Sequence, residues 1–142
     1  MNGIREDKKV GELKRRGLDI GIIVIDSVAM RAFYERVLDI PFLETVELPG
    51  HGVITKLSYG ESVIKLLALD TRPAIADKYM EYRAMTGIRY FSLNVLDLRK
   101  VVEQCRETGA KIITDIVSPR PGILAAMVQD PEGNAVEIIQ TT

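Results

Sequence analysis

The chain has 142 residues, a formal net charge of -1, 46% hydrophobic and 27% charged residues, which is expected to give one ordinary globular domain that needs neither a disulfide nor a structural metal to fold. The near-zero charge and the lack of a basic stripe with interleaved aromatics argue against nucleic acid as a partner. Cys105 is the only cysteine, so no internal disulfide can form, and a reducing cytoplasmic setting is expected.

Residues 1–17 are charge-rich, with Ile4, Val10 and Leu13 as the few apolar anchors. They read as a solvated tail or a short, loosely attached helix. They are not expected to form a secretory signal, and no apolar run nears the roughly 20 residues of a membrane helix. Leu18 to Ile25 is a β-rich strand. Asp26 and Ser27 are helix caps, and Met30, Phe33, Tyr34, Val37 and Leu38 make one apolar helix face. Three strands follow, Phe42–Leu48, Val53–Tyr59 and Ser62–Leu69, punctuated by Pro49-Gly50 and Gly60.

Residues 70–86 read as a linker with a short helix. Then the order repeats. Ile88 to Val95 is a strand, Asp97 a cap, and Leu98, Val101, Val102 and Cys105 a helix face. Lys111–Val117, Gly122–Val128 and Ala135–Ile139 are three further strands. Pro119 and Pro121 mark one turn, and Asp130 to Asn134 marks the other. Cap Asp26 and cap Asp97 are 71 residues apart (97 − 26), as are Asp19 and Tyr90 (90 − 19). Such an internal repeat predicts two βαβββ modules, module one at 18–69 and module two at 87–140, within a single domain at 18–142.

Strand alternation gives each module one wholly apolar face: Ile20, Ile22 and Val24 with Ile64, Leu66 and Ala68, then Phe91, Leu93 and Val95 with Val136 and Ile138. The helices should pack there. The opposite face carries Asp19, Gly21, Ile23, Val63, Lys65 and Leu67, then Tyr90, Ser92, Asn94, Ala135, Glu137 and Ile139. Isolated polar groups among apolar ones suit a small-molecule cleft. His51 reads as an exposed turn residue, Cys105 as a core residue, and Arg72, Arg83, Arg89 and Arg120 as solvated charges. No nucleotide-binding glycine motif is present.

Three stretches resemble the vicinal oxygen chelate superfamily, which includes glyoxalases, bleomycin-resistance proteins and extradiol dioxygenases. They are Leu18 to Asp26 followed by Phe33-Tyr34 and Val37-Leu38, then Gly87 to Asp97, then Asp130 to Ile138. The resemblance implies an α+β fold in which tandem βαβββ modules form U-shaped mixed sheets around a cleft, and a homodimer. Metal-dependent members hold a divalent ion with one residue on the first and one on the last strand of each module. Here those positions are Asp19, Lys65, Tyr90 and Glu137. An ammonium cannot ligate a metal, so the expectation is no cofactor and a Lys65–carboxylate cluster, with Lys65 near both Asp19 and Glu137.

Two functions follow. In the first, Lys65 stabilises an oxyanion or enolate, Glu137 or Asp19 moves a proton, and Tyr90 donates to a carbonyl, giving a metal-independent isomerase, epimerase or lyase. In the second, the cluster is only an ion pair, and the protein binds and sequesters a small molecule. Ser92, Asn94, Gly21, Ile23 and Leu67 would line the site in either case. A metal-dependent lyase, in which Asp19, Tyr90 and Glu137 retain a hard ion and Lys65 swings away, stays open at this point.

Overall fold

The fold comes from a computed structural model that describes residues 11–76 and 81–142. In chain order it holds β1 (Asp19–Val24), α1 (Ser27–Ala32), a π-helical turn (Phe33–Val37), β2 (Phe42–Leu48), β3 (Gly52–Tyr59) and β4 (Ser62–Leu69). Then come β5 (Tyr90–Asn94), α2 (Leu98–Glu107), β6 (Ile112–Arg120), β7 (Ile123–Gln129) and β8 (Ala135–Thr141). The strands make two four-stranded sheets of matching order, β1-β4-β3-β2 and β5-β8-β7-β6. In each, the first and last strands of the module run parallel and the other neighbours antiparallel. The fold is α+β, built from two βαβββ modules.

The apolar faces meet as expected. Val24, Ile64, Leu66, Leu93, Val136 and Ile138 are buried, and they join Met30, Phe33, Tyr34 and Leu38 and α2's Leu98, Val102 and Cys105 in one cluster. Ile20, Ile22, Ala68, Phe91 and Val95 pack against it. Cys105 is fully buried, and burial pushes its thiol up to about 11. Both caps form: the Asp26 carboxylate accepts from the Ala29 N–H at 3.0 Å, and that of Asp97 from the Lys100 N–H at 3.1 Å.

The modules are joined reciprocally. The Ile25 and Asp26 N–H groups donate to the Glu132 carboxylate at 2.8–3.0 Å, tying the turn before β8 to the end of β1. In the other direction, the Tyr59 hydroxyl at the end of β3 accepts from the Asn94 N–H at 2.6 Å and lies 3.1 Å from the Asn94 carbonyl oxygen. At the centre, Tyr34 stacks on Phe91 and donates to the buried carboxylate of Asp130 at 2.7 Å. Asp130 also accepts from the Glu132 and Asn134 N–H groups and from the Asn134 side chain, so this buried charge is well satisfied.

Three expectations need correction, and a fourth falls partly outside the described residues. The first helix is α-helical for only six residues. It then widens, with Leu38 N–H donating to Phe33 C=O five residues back, and ends at Asp39 with φ 58°. β6 does not stop at Val117 but runs to Arg120. It is the sheet's outer strand and its register shifts repeatedly, so it tolerates Pro119, and only Pro121-Gly122 form the turn. The linker shows no helix among its described residues; residues 77–80, where that expectation also falls, lie outside them. The tail is not loose from residue 15 onward: Arg15 donates to the Glu61 carbonyl at 2.8 Å and the Leu18 N–H to the Ser62 hydroxyl at 3.1 Å. Gly17 is obligatory there, because a Cβ would run into the Glu61 backbone carbonyl.

Candidate active site

The parallel pairing of β1 with β4 sets Asp19 beside Val63, Gly21 beside Lys65 and Ile23 beside Leu67. Alternation turns all six away from the core. Lys65 Nζ lies 3.1 Å from Asp19 Oδ2, while Arg15 holds the other carboxylate oxygen at 2.8 Å. Arg15 first and Lys65 second hold the Asp19 carboxyl below its ordinary range. Asp19 is therefore a fixed anion that orients Lys65 and a weak proton acceptor. Sequence reasoning missed Arg15, since a tail arginine carries no strand periodicity.

In the second sheet, Ser92 pairs with Glu137 across β5 and β8, and its hydroxyl donates to Glu137 Oε1 at 2.6 Å. Tyr90 is exposed and makes an edge-on contact with Tyr82, with ring centroids 5.8 Å apart. Beside them Ala125, Met127 and Ala135 are buried. Tyr82, like Met127, came from no site pattern in the sequence.

The structure thus brings the predicted residues together in pairs. Lys65 joins Asp19, but Lys65 and Glu137 form no ion pair; Glu137 joins Ser92. Each finds its partner on the neighbouring strand of its own sheet. Ile23 lines a cleft of about 620 Å³ with Ile25, linker residues Pro73 to Ala76, Pro131 and Glu132. Asn94 borders another cleft, of about 650 Å³, between the π turn and α2. Gly21 is exposed and Leu67 half-buried beside Lys65. His51 sits exposed in the β2–β3 turn.

A divalent ion does not fit the four positions as they stand. Lys65 presents a cation to Asp19, and an ammonium has no lone pair to offer a metal. Among the described residues, no three His, Cys, Asp or Glu side chains gather closely enough to hold one. No helix among them is long and apolar enough to cross a membrane.

The geometry of paired modules with a polar-dotted outer face is that of a known class. The family model of the Glyoxalase/Bleomycin resistance protein/Dioxygenase superfamily matches residues 18–138, and the chain belongs to that superfamily. Among solved structures it is similar to a glyoxalase family protein from Bacillus cereus, with 18% identity, 98% of this chain and 99% of that chain covered, and a TM-score of 0.80. It is also similar to the trypanothione-dependent glyoxalase I of Leishmania major, with 22% identity, 89% and 86% covered, and a TM-score of 0.68. A glyoxalase I mutant from Zea mays matches with 22% identity over 85% of this chain and 43% of its own, at a TM-score of 0.70. At these identities the likeness is one of fold. No curated protein matches the sequence.

Proposed function

We propose that the protein is a metal-independent enzyme that moves a proton on a small oxygenated substrate, as an isomerase, epimerase or lyase. The observation that carries this reading is the Lys65–Asp19 contact at 3.1 Å, a fixed positive charge at a position where metal-dependent relatives hold an ion. In the proposed step Glu137 takes a proton from carbon next to a carbonyl. The C–H electron pair moves into the carbon skeleton and the carbonyl π pair onto oxygen, forming an enolate. Lys65 stabilises that oxyanion, as preorganised donors do. Ser92 orients Glu137, and the Tyr90 hydroxyl donates to the carbonyl. Return of the proton to carbon completes an isomerisation. Expulsion of a β-leaving group instead completes an elimination. Asp19 positions Lys65 and does not itself move the proton, since two cations hold it ionised.

The two pairs stand on different sheets, so the substrate bridges them, within one chain or across the homodimer that we propose as the working assembly. The protein is proposed to work in the cytoplasm.

A second reading, binding and sequestration, draws on the apolar exposure of Ile23 and the Tyr82–Tyr90 aromatic pair, which suit a hydrophobic ligand. Turnover separates the two. With a substrate from a panel of small oxygenated acids and carbonyl compounds, Lys65→Met should lower kcat by about 10²–10³ at saturating substrate, beyond any effect on ligand affinity. Glu137→Gln should do at least as much. If both variants keep full kcat, the catalytic reading fails. If affinity alone falls, the protein is a binder.

A further inference from the structure

The face that carries Lys65 holds a second lysine that the proposed chemistry does not use. Antiparallel pairing of β3 with β4 sets Lys56 directly opposite Lys65, and directly opposite residues of two strands point to the same face. Like charges so placed destabilise a sheet. Each ammonium leans away from the other to a carboxylate on the next strand out: Lys65 to Asp19 on β1 at 3.1 Å, and Lys56 to Glu44 on β2 at 3.0 Å. The result is a row of charges across the whole first sheet, in the order Arg15, Asp19, Lys65, Lys56, Glu44.

Three features make this row more than a set of surface ion pairs. First, it does not balance. Three cations face two carboxylates, an excess of +1 (3 − 2) on one face of a chain whose net charge is -1. Second, the two lysines are shielded, with side-chain exposures of 24% for Lys56 and 35% for Lys65. Third, an ammonium has three N–H donors, and each lysine gives the protein only one contact among the described residues. Two N–H donors on each ammonium are thus left without a protein partner among the described residues. One step along β3 and β4, on the same face, Ile54 opposes Leu67, so an apolar floor adjoins the two charges.

We propose that Lys56 and Lys65 together form an anion subsite for a dianionic oxoanion group on the substrate, a phosphate or a dicarboxylate, with the substrate's apolar part lying over Ile54 and Leu67. This deepens the function proposed above and rests on its placing the substrate on this face. Lys56 has the role of a substrate-binding residue, and it selects doubly charged over singly charged ligands because one anion bridges both ammonium groups.

The test needs no turnover. The full chain is titrated by calorimetry with inorganic phosphate and with malonate, and acetate serves as the monoanion; melting temperature is followed in parallel. The proposal expects phosphate or malonate to bind and to raise the melting temperature, acetate to bind far more weakly, and the effect to fade with added sodium chloride. Lys56→Met and Lys65→Met should each weaken dianion binding by roughly tenfold or more, and Lys56→Arg should restore most of it. Lys100→Met, on α2, should change nothing. Circular dichroism of each variant establishes that it is folded. Dianion binding that survives Lys56→Met overturns the subsite, even where Lys65→Met abolishes turnover and the proposed chemistry stands. Binding lost equally in Lys100→Met, or absent from the unaltered protein, overturns it as well. Dianion binding lost in Lys56→Met, with turnover unaffected by Lys65→Met, keeps the subsite and removes the chemistry.

Discussion

At the scale of single residues, Asp19 is defined by its neighbours more than by its own chemistry. Arg15 and Lys65 each take one of its oxygens, and both favour the charged form, so its pKa is lowered. A carboxylate with a lowered folded-state pKa adds stability that is present above the unfolded value of about 3.9 and is lost as pH falls through the lower folded value. The loss therefore begins below about pH 4. Because Arg15 is the larger influence, Arg15→Met should raise the Asp19 pKa toward the ordinary value, and NMR titration of the side-chain carboxyl measures this directly. An unchanged midpoint would mean that the tail does not hold Asp19 in solution. The Lys65–Asp19 pair could be anticipated, because strand alternation and the repeat put both on one face. Arg15 could not, because its contact depends on how a tail with no periodicity folds back over the start of β4.

Elements show where local pattern stops being informative. The apolar positions of the first helix suit an α-helix throughout, yet the chain widens into a π turn at Phe33–Val37. Paired apolar residues at 33–34 and 37–38 satisfy either winding, so the choice falls to packing: Tyr34 reaches Asp130 and Leu38 enters the core. Strand pairing imposes equally local demands. Gly52 opens β3 so close to β4 that a Cβ would strike the Ala68 carbonyl oxygen. Gly52→Ala should therefore cost about 1–3 kcal/mol, read as a lower urea midpoint with an unchanged slope. A midpoint equal to that of the parent protein would show that the pairing of Gly52 with Leu69 is not tight.

For the whole molecule, the decisive contacts are those that hold one module to the other. Tyr34 belongs to the first module and Asp130 to the second, and their hydrogen bond is buried. Tyr34→Phe removes one of the donors to Asp130 and leaves three, so the expected loss is about 1–2 kcal/mol, again by urea unfolding. Burial and the nearby Asp130 charge push the Tyr34 hydroxyl well above its ordinary range, so this bond should not be the one that fails at mildly alkaline pH. A Tyr34→Phe variant as stable as its parent would mean that the stacking of Tyr34 on Phe91, and not the hydrogen bond, joins the modules.

The amino-acid order alone determined the repeat, the eight strands, both caps and the division of each sheet into an apolar and a polar-dotted face. These depend on neighbours a few residues apart, and alternation or helical spacing records them. Tertiary structure decided which polar groups meet. Glu132 reaches Ile25 and Asp26 across more than a hundred residues, Lys56 faces Lys65 through strand register, and Glu137 turns to Ser92 and not to Lys65. Such contacts are set by how two separately patterned sheets are placed and curved, and no periodicity within either one encodes that placement.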